Sequence, residues 1–531
     1  MKETLQRIWA KISHYNQLVS TYQRAASSSP DAAMAYVNWA DQLAEAGNMV
    51  AALEKYEHAT RLAPDRSECY TRWGMALNRF DRPAEAIEKF RRATELSPEL
   101  ASNFVLWGMA LVMLNRLDEA KQQYEQAIRL APKHPEPHVN YGVALARTGS
   151  YVQAIEQFKT ALALHPRQAP VYFLWGTVLA ELQQFEAAIE KFRLAVQYDP
   201  KLTDARHLWG IALAKLCQYE EAEQQFRQAL QQDPERAELY LSLADALLNQ
   251  GRLELAMTNY RHALGLDASL AEAHLGLGVV LCKVGREPEG FGHFAQAEQQ
   301  SPTLPKLQQY WGAALLEAKQ YEAARVRLEM ALHDPEGQQT PEPELLVNWA
   351  TVLLETEAPQ ATIVPILTQL EQTIPSGHPA LLYRLAALLL QLGQDDRARH
   401  HLEAILQQTP EHEDAAIALS LLLCQQGETQ TAVHRMRPLV RRAPDRAVVQ
   451  FHYGVVLLRH GDVRHASEKF ELALKLDSAY VKPRLALAEL ALADHRWDVA
   501  RQHLQTILQQ TPDHPEALHL WQQLPPTDPP A

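Results

Sequence analysis

Eight of the chain's ten tryptophans fall in one register of a repeating period. Trp39, Trp73 and Trp107 are 34 residues apart, as are Trp175 and Trp209, and Trp311 follows three periods later. Trp349 comes after a slip of four residues, and Trp521 lies five periods and two residues beyond it. A period of this length belongs to stacked supersecondary units, each leaning on its neighbours, rather than to one large core. A chain of 531 residues therefore need not be cut into several globular domains.

The acidic surplus, 64 Asp and Glu against 51 Lys and Arg, gives a net charge of −13. That disfavours nonspecific binding to nucleic acid or anionic lipid over the chain as a whole. The opening residues Met1 to Ile8 lack the apolar core of a signal peptide, and no stretch reaches the length of a membrane span. Cys69, Cys217, Cys282 and Cys424 are dispersed, with no Cys-x-x-Cys pair, so neither a disulfide framework nor a zinc site is suggested. The expectation is a cytoplasmic protein without membrane insertion.

Residues 67–100 serve as the type unit. Tyr70, Trp73, Gly74 and Leu77 are spaced for one face of a helix, and Ala86, Phe90 and Ala93 for one face of a second. Pro98 marks the exit, where a helix can start but not continue. The unit is a helical hairpin. Its eighth place is small throughout: Gly at 74, 108, 142, 176, 210, 278, 312 and 454, Ala at 40, 244, 350, 386 and 488, and Ser420. Such a residue lets the paired helices approach closely. A large residue at the twenty-fourth place (Tyr56, Phe90, Tyr124, Phe158, Phe192, Phe226, Tyr260, Phe294, Phe470) is expected to fill the space between adjacent hairpins. Isolated helices of about 12 residues are marginal in water, so stacking must supply the missing partner.

The aromatic or apolar fourth place, bulky seventh, small eighth, Ala-x-x-x-Phe of the second helix and closing Pro together resemble the tetratricopeptide repeat family. The resemblance runs from about residue 33 to 524 in about fourteen units. It implies an all-α solenoid of 34-residue helix-turn-helix repeats wound as a right-handed superhelix. One departure is the frequent Trp at the seventh place, which is usually Leu in the family.

The array is not uniform. Residues 1–32 read as a degenerate N-terminal unit, with Leu5, Ile8, Trp9, Ile12, Tyr15, Val19 and Tyr22 on one helical stripe. Nine units fill 33–334. The proline-rich stretch 335–342 reads as a connecting loop, open to interpretation as a bend or a surface insertion. Five units and a cap helix fill 343–524, with Pro365 inside one second helix, and 525–531 is a loose tail.

No catalytic constellation stands out, and an enzyme is not expected. Gly276-x-Gly278 lacks the third glycine of a dinucleotide fingerprint, and His-Glu-x-x-His is absent. His134 and His138 sit at a unit boundary among prolines, which favours a turn role. His400 and His401 diverge by roughly 100 degrees around a helix and cannot chelate together. No cofactor, metal or small-molecule substrate is expected. From 427 to 470, eight basic residues face four acidic ones; Arg435, Arg437, Arg441 and Arg442 form a basic patch, read as a solvated face or a docking patch. No aromatic platform is interleaved, which weighs against nucleic acid.

The resemblance further implies that the second, fifth, sixth, ninth, twelfth and thirteenth places line a concave groove. Across the third to sixth units these hold Val105, Leu106, Met109, Val112, Met113, Val139, Asn140, Val143, Phe173, Leu174, Thr177, His207, Leu208 and Ile211. That is apolar for a solvent-facing surface, as interaction sites tend to be, and Met side chains adapt to varied partners. Arg72 belongs to the same face. The groups that grip a C-terminal carboxylate in chaperone-binding relatives are replaced here by Val37, Asp41, Arg72, Ser102 and Leu106. The asparagine ladder of sugar-transferase relatives is reduced to Asn38, Asn140 and Asn348. The sequence thus points to a noncatalytic scaffold or adaptor for protein or peptide segments. Two alternatives stay open: a self-assembling homo-oligomer using the N-terminal stripe, and a helper subunit of a separately encoded glycosyltransferase or envelope-assembly machine.

Overall fold

The computed structural model describes residues 31–333, 341–375 and 377–525. Among these, 29 helices follow one another without a strand. They form two compact units, Met1–Arg286 and Glu287–Ala531. The N-terminal stripe and most of the proline-rich connection lie outside the described residues.

Each repeat is a first helix of about 13 residues and a second of about 14, as in Ser67–Arg79 and Pro83–Leu96. The short link between them is set by one backbone feature. The fifteenth place has positive φ in every repeat: Gly at 47, 149, 251, 285, 393, 427 and 461, and Asp81, Asn115, Gln183, Cys217, Lys319, Glu357 and His495 in the others. That left-handed residue lets the next N–H turn back onto the first helix, as in Arg82 N to Leu77 O and Gln184 N to Leu179 O, both 2.9 Å. Orphan carbonyls at the helix end are thereby satisfied. Glycine adopts this conformation without a Cβ clash.

The eighth and twenty-fourth places meet inside each hairpin. A Cβ on Gly74 would lie 2.6 Å from the Phe90 ring, one on Gly176 2.7 Å from Phe192, and one on Gly454 2.6 Å from Phe470. The rings are fully buried. This corrects the expectation that the large residue chiefly fills the space between hairpins: it first occupies the notch left by its own repeat's glycine. Its far side then touches the next repeat, as Tyr56 does in stacking on Trp73 at 6.5 Å between ring centres. Where the eighth place is Ala, the ring gives way to Leu in two repeats, Ala386 with Leu402 and Ala488 with Leu504, all four fully buried.

The tryptophans sit at the edge of this core, with their indole N–H groups closed to solvent and without an acceptor at Trp39, Trp73, Trp107, Trp175 and Trp209. A cation from the twenty-third place covers several of the rings: Lys55 on Trp39, Lys89 on Trp73 at 3.8 Å, Lys191 on Trp175 and Arg327 on Trp311 at 3.6 Å. The aliphatic stem thus shields the ring while the charge stays near water. In Glu287–Ala531, Pro365 and Pro438 lie inside helices that run through them, Gln360–Thr373 and Thr429–Arg442. The closing helix ends at Trp521, where Leu520, Trp521 and Leu524 cover Leu504 and Ile507.

Candidate protein-binding groove

Within Met1–Arg286, each first helix touches the first helix of the next repeat, whereas no comparable contact joins successive second helices. A stack whose first helices converge curves toward them, so the first-helix face is the inner one. The ninth places run along it in order: Asp41, Met75, Met109, Val143, Thr177, Ile211 and Asp245. Between the two aspartates every place but Thr177 is apolar, and Val279 is apolar again in the last repeat of the unit.

The expected groove residues divide by place. Met109 and Met113 are open, 41% and 42% exposed. Leu106, Val112, Val139, Asn140, Val143, Phe173, Leu174, Thr177, His207, Leu208 and Ile211 are half-buried. Val105 is only 2% exposed and packs in the core with Leu77, Phe90 and Tyr124. It cannot present itself to a ligand, and its assignment to the groove is corrected. The reason is its fifth place, which faces the junction with the neighbouring repeat, where Val37 is buried in the same way. His207 shares that role. Its Nε2 is 2.9 Å from Ser242 Oγ in the next repeat, and burial lowers its pKa. Asn140 donates to the backbone of its own helix at Glu136 O, and the Thr177 hydroxyl to Phe173 O.

One exposed apolar side chain escaped sequence reading. Met75, 47% exposed, extends the band toward the first repeat. Beside it lies a cleft of about 150 Å³ walled by Asp41, Glu45, Tyr56, Arg72 and Arg79. Tyr56 Oη donates to Asp41 Oδ1 at 2.5 Å, and Arg72 Nη1 reaches Asp41 Oδ2 at 3.0 Å. Arg72, expected to face a ligand, is therefore already engaged by a carboxylate. At the far end Tyr260 Oη donates to Asp245 Oδ1 at 2.6 Å. The readable signal was a pairing: Asp at the ninth place occurs with Tyr at the twenty-fourth, whereas Met75, Val143, Thr177 and Ile211 occur with Phe. Met109 with Tyr124 is the exception.

The basic patch lies on the second-helix side. Arg435, Arg437, Arg441 and Arg442 are exposed along Thr429–Arg442. Arg435 and Arg442 approach Glu403 and Glu411 of the preceding repeat at 3.7 and 3.6 Å, and Arg446 meets Glu413 at 2.9 Å. These acids fall outside the segment over which the surplus was counted, so its local charge is smaller than the sequence count. The histidines have local partners. His138 Nδ1 is 2.8 Å from Gln157 Oε1, His401 Nε2 is 3.0 Å from Glu371 Oε1, and His412 caps a helix by accepting from Ala415 N. Cys217 is exposed at a left-handed turn. Among the described residues no group of three or more His, Cys, Asp or Glu is placed to hold a metal, and no helix is long and apolar enough to cross a membrane.

Comparison with known proteins bears on the fold. The chain resembles the Cut9–Hcn1 hetero-tetramer of APC/C over 95% of its length and 98% of that chain, with a TM-score of 0.51 at 14% identity. It also matches YrrB, described as a TPR protein with an unusual peptide-binding site, at 24% identity over 35% of this chain and 95% of that one, with a TM-score of 0.31. The Pseudomonas aeruginosa pilF structure matches at 20% identity over 40% and 97%, with a TM-score of 0.36. No curated protein matches the sequence. Tetratricopeptide repeat models match residues 105–169, 153–202, 207–271, 383–433, 417–481 and 457–524. With more than half of its residues so matched and its helices paired throughout in the corresponding hairpins, the chain belongs to the tetratricopeptide repeat family.

Proposed function

We propose that this protein is a noncatalytic scaffold or adaptor whose first block of repeats holds an apolar segment of another protein along its inner face. The observation that carries the reading is the row of ninth places, apolar but for Thr177, in which Met75 and Met109 are exposed, with Met113 beside them, and Val143 and Ile211 half-exposed. Water-exposed methionines in register, on a face built from converging helices, are costly unless a partner covers them. Covering the exposed half of one such side chain contributes roughly 1 kcal/mol. The mechanism is surface complementarity, with no bond made or broken.

The test is selection of a displayed library of random 16-residue peptides on the full chain. Apolar peptides are expected to be enriched, and the double variant Met109→Glu/Ile211→Glu is expected to weaken their binding about a hundredfold, because each carboxylate would be buried unpaired. Enriched peptides indifferent to that variant would place binding elsewhere.

A further inference from the structure

The two aspartates of the band differ in their counter-charge. Asp41 and Asp245 occupy the same place in their repeats, and each accepts the hydroxyl of the tyrosine fifteen residues on. Asp41 has a counter-charge: its second oxygen is met by Arg72, 31 residues later, in the next repeat. Thirty-one residues after Asp245 stands Gly276. No side chain fits there, since a Cβ on Gly276 would lie 2.3 Å from the tip of the Tyr260 ring. Any substituent would push Tyr260 off Asp245.

Asp245 is consequently a carboxylate without a cation. Among the described residues no Lys or Arg pairs with it, and the charge that bears on it is that of Glu272, which repels. The side chain is exposed to water. Desolvation raises its pKa to about 6, against the pull of the Tyr260 hydrogen bond. A carboxylate left without a counter-charge gains from a cation brought to it.

We propose that the partner segment lying along the inner face carries a lysine or arginine at the end beside Asp245, and that this residue supplies the counter-charge Arg72 gives to Asp41. The proposal rests on the groove reading above and deepens it. It fixes the register of the bound segment: the apolar stretch covers Met75 to Ile211, and the basic residue lies at the Asp245 end whichever way the segment runs. Apolar contact supplies affinity, while the ion pair sets register and excludes segments that place an acid there.

The experiment uses the same displayed 16-residue library on the full chain, followed by titration of synthetic peptides from clones that lose binding with Met109→Glu/Ile211→Glu. Those clones are expected to share a Lys or Arg toward one end. Asp245→Asn, whose amide oxygen still accepts from Tyr260, is expected to weaken them about tenfold without altering the circular dichroism spectrum. Changing the peptide's basic residue to Glu should weaken binding to the unaltered chain and restore it on Asp245→Lys. Groove-dependent peptides without a basic residue, or an Asp245→Asn variant that binds them unchanged, would overturn the ion pair and leave the groove standing. If no clone depends on Met109 and Ile211, the groove reading itself falls, and the proposal with it.

Discussion

Gly176 and Phe192 show how much of each repeat is decided by a single pair. The ring fills the space a Cβ would need, so Gly176→Ala should cost about 1–3 kcal/mol of local overpacking, against about 1 kcal/mol gained in helix propensity. The net expectation is faster amide hydrogen exchange across Ala169–Glu181 and Phe185–Tyr198. Adding Phe192→Leu should restore protection toward the parent level, because Ala386 with Leu402 already realises that combination. Unchanged exchange in the single variant would show that the ring can yield. Asp245 makes a second residue-scale test. Its pKa in the folded chain is about 6, above that of a free carboxylate, so the folded state binds the extra proton and stability falls as pH rises through 6. Asp245→Asn should therefore melt higher than the parent at pH 7–8, with the gap closing as the pH is lowered toward 4. A constant gap across that range would remove the titration of Asp245 as its cause.

At the scale of the element, the fifteenth-place turn sets the hairpin, and it adopts the same backbone whether or not glycine is present. Non-glycine residues in the left-handed region cost about 1–2 kcal/mol. Gln183→Gly should raise the melting midpoint, with about 0.5–1 kcal/mol gained after the greater freedom of glycine in the unfolded chain is deducted. Gly149→Ala should lower it by a similar amount, and for conformational reasons alone, since no atom lies within 4 Å of the added Cβ. Equal midpoints for parent and variants would mean that neighbouring repeats, rather than the turn, fix the hairpin angle. The seven glycines at this place were readable in the sequence, but the seven other residues sharing their φ were not. A left-handed Gln or Lys leaves no compositional mark. The fifth place was obscured for a related reason. It lies four residues from the ninth, on the same stripe of the helix, and only the position of the neighbouring repeat decides that Val105 is covered while Met109 is open.

For the whole molecule, periodicity was the most legible property, because it follows from the chain alone. The hairpins, their order and the small-residue notch could all be argued from spacing. The surface was harder to read, because what faces outward depends on how much one repeat overlaps another. The acidic partners of the basic patch show the same limit: Glu403 and Glu411 lie in the preceding repeat and are invisible to a count along the segment. Asp245 is the clearest instance. Its isolation becomes apparent only when Gly276 is laid over Arg72 in the same register.

The side-chain links between repeats bridge about one period: 35 residues from Asp31 to Arg66, 35 from His207 to Ser242 and 36 from Asn348 to Arg384. Ordering such a chain never requires distant segments to find one another, so the entropy of loop closure stays small at every step. On the ribosome, each hairpin has its docking surface waiting as it emerges. Damage is equally local: a repeat that fails to close leaves a fault between two intact stretches rather than unfolding both.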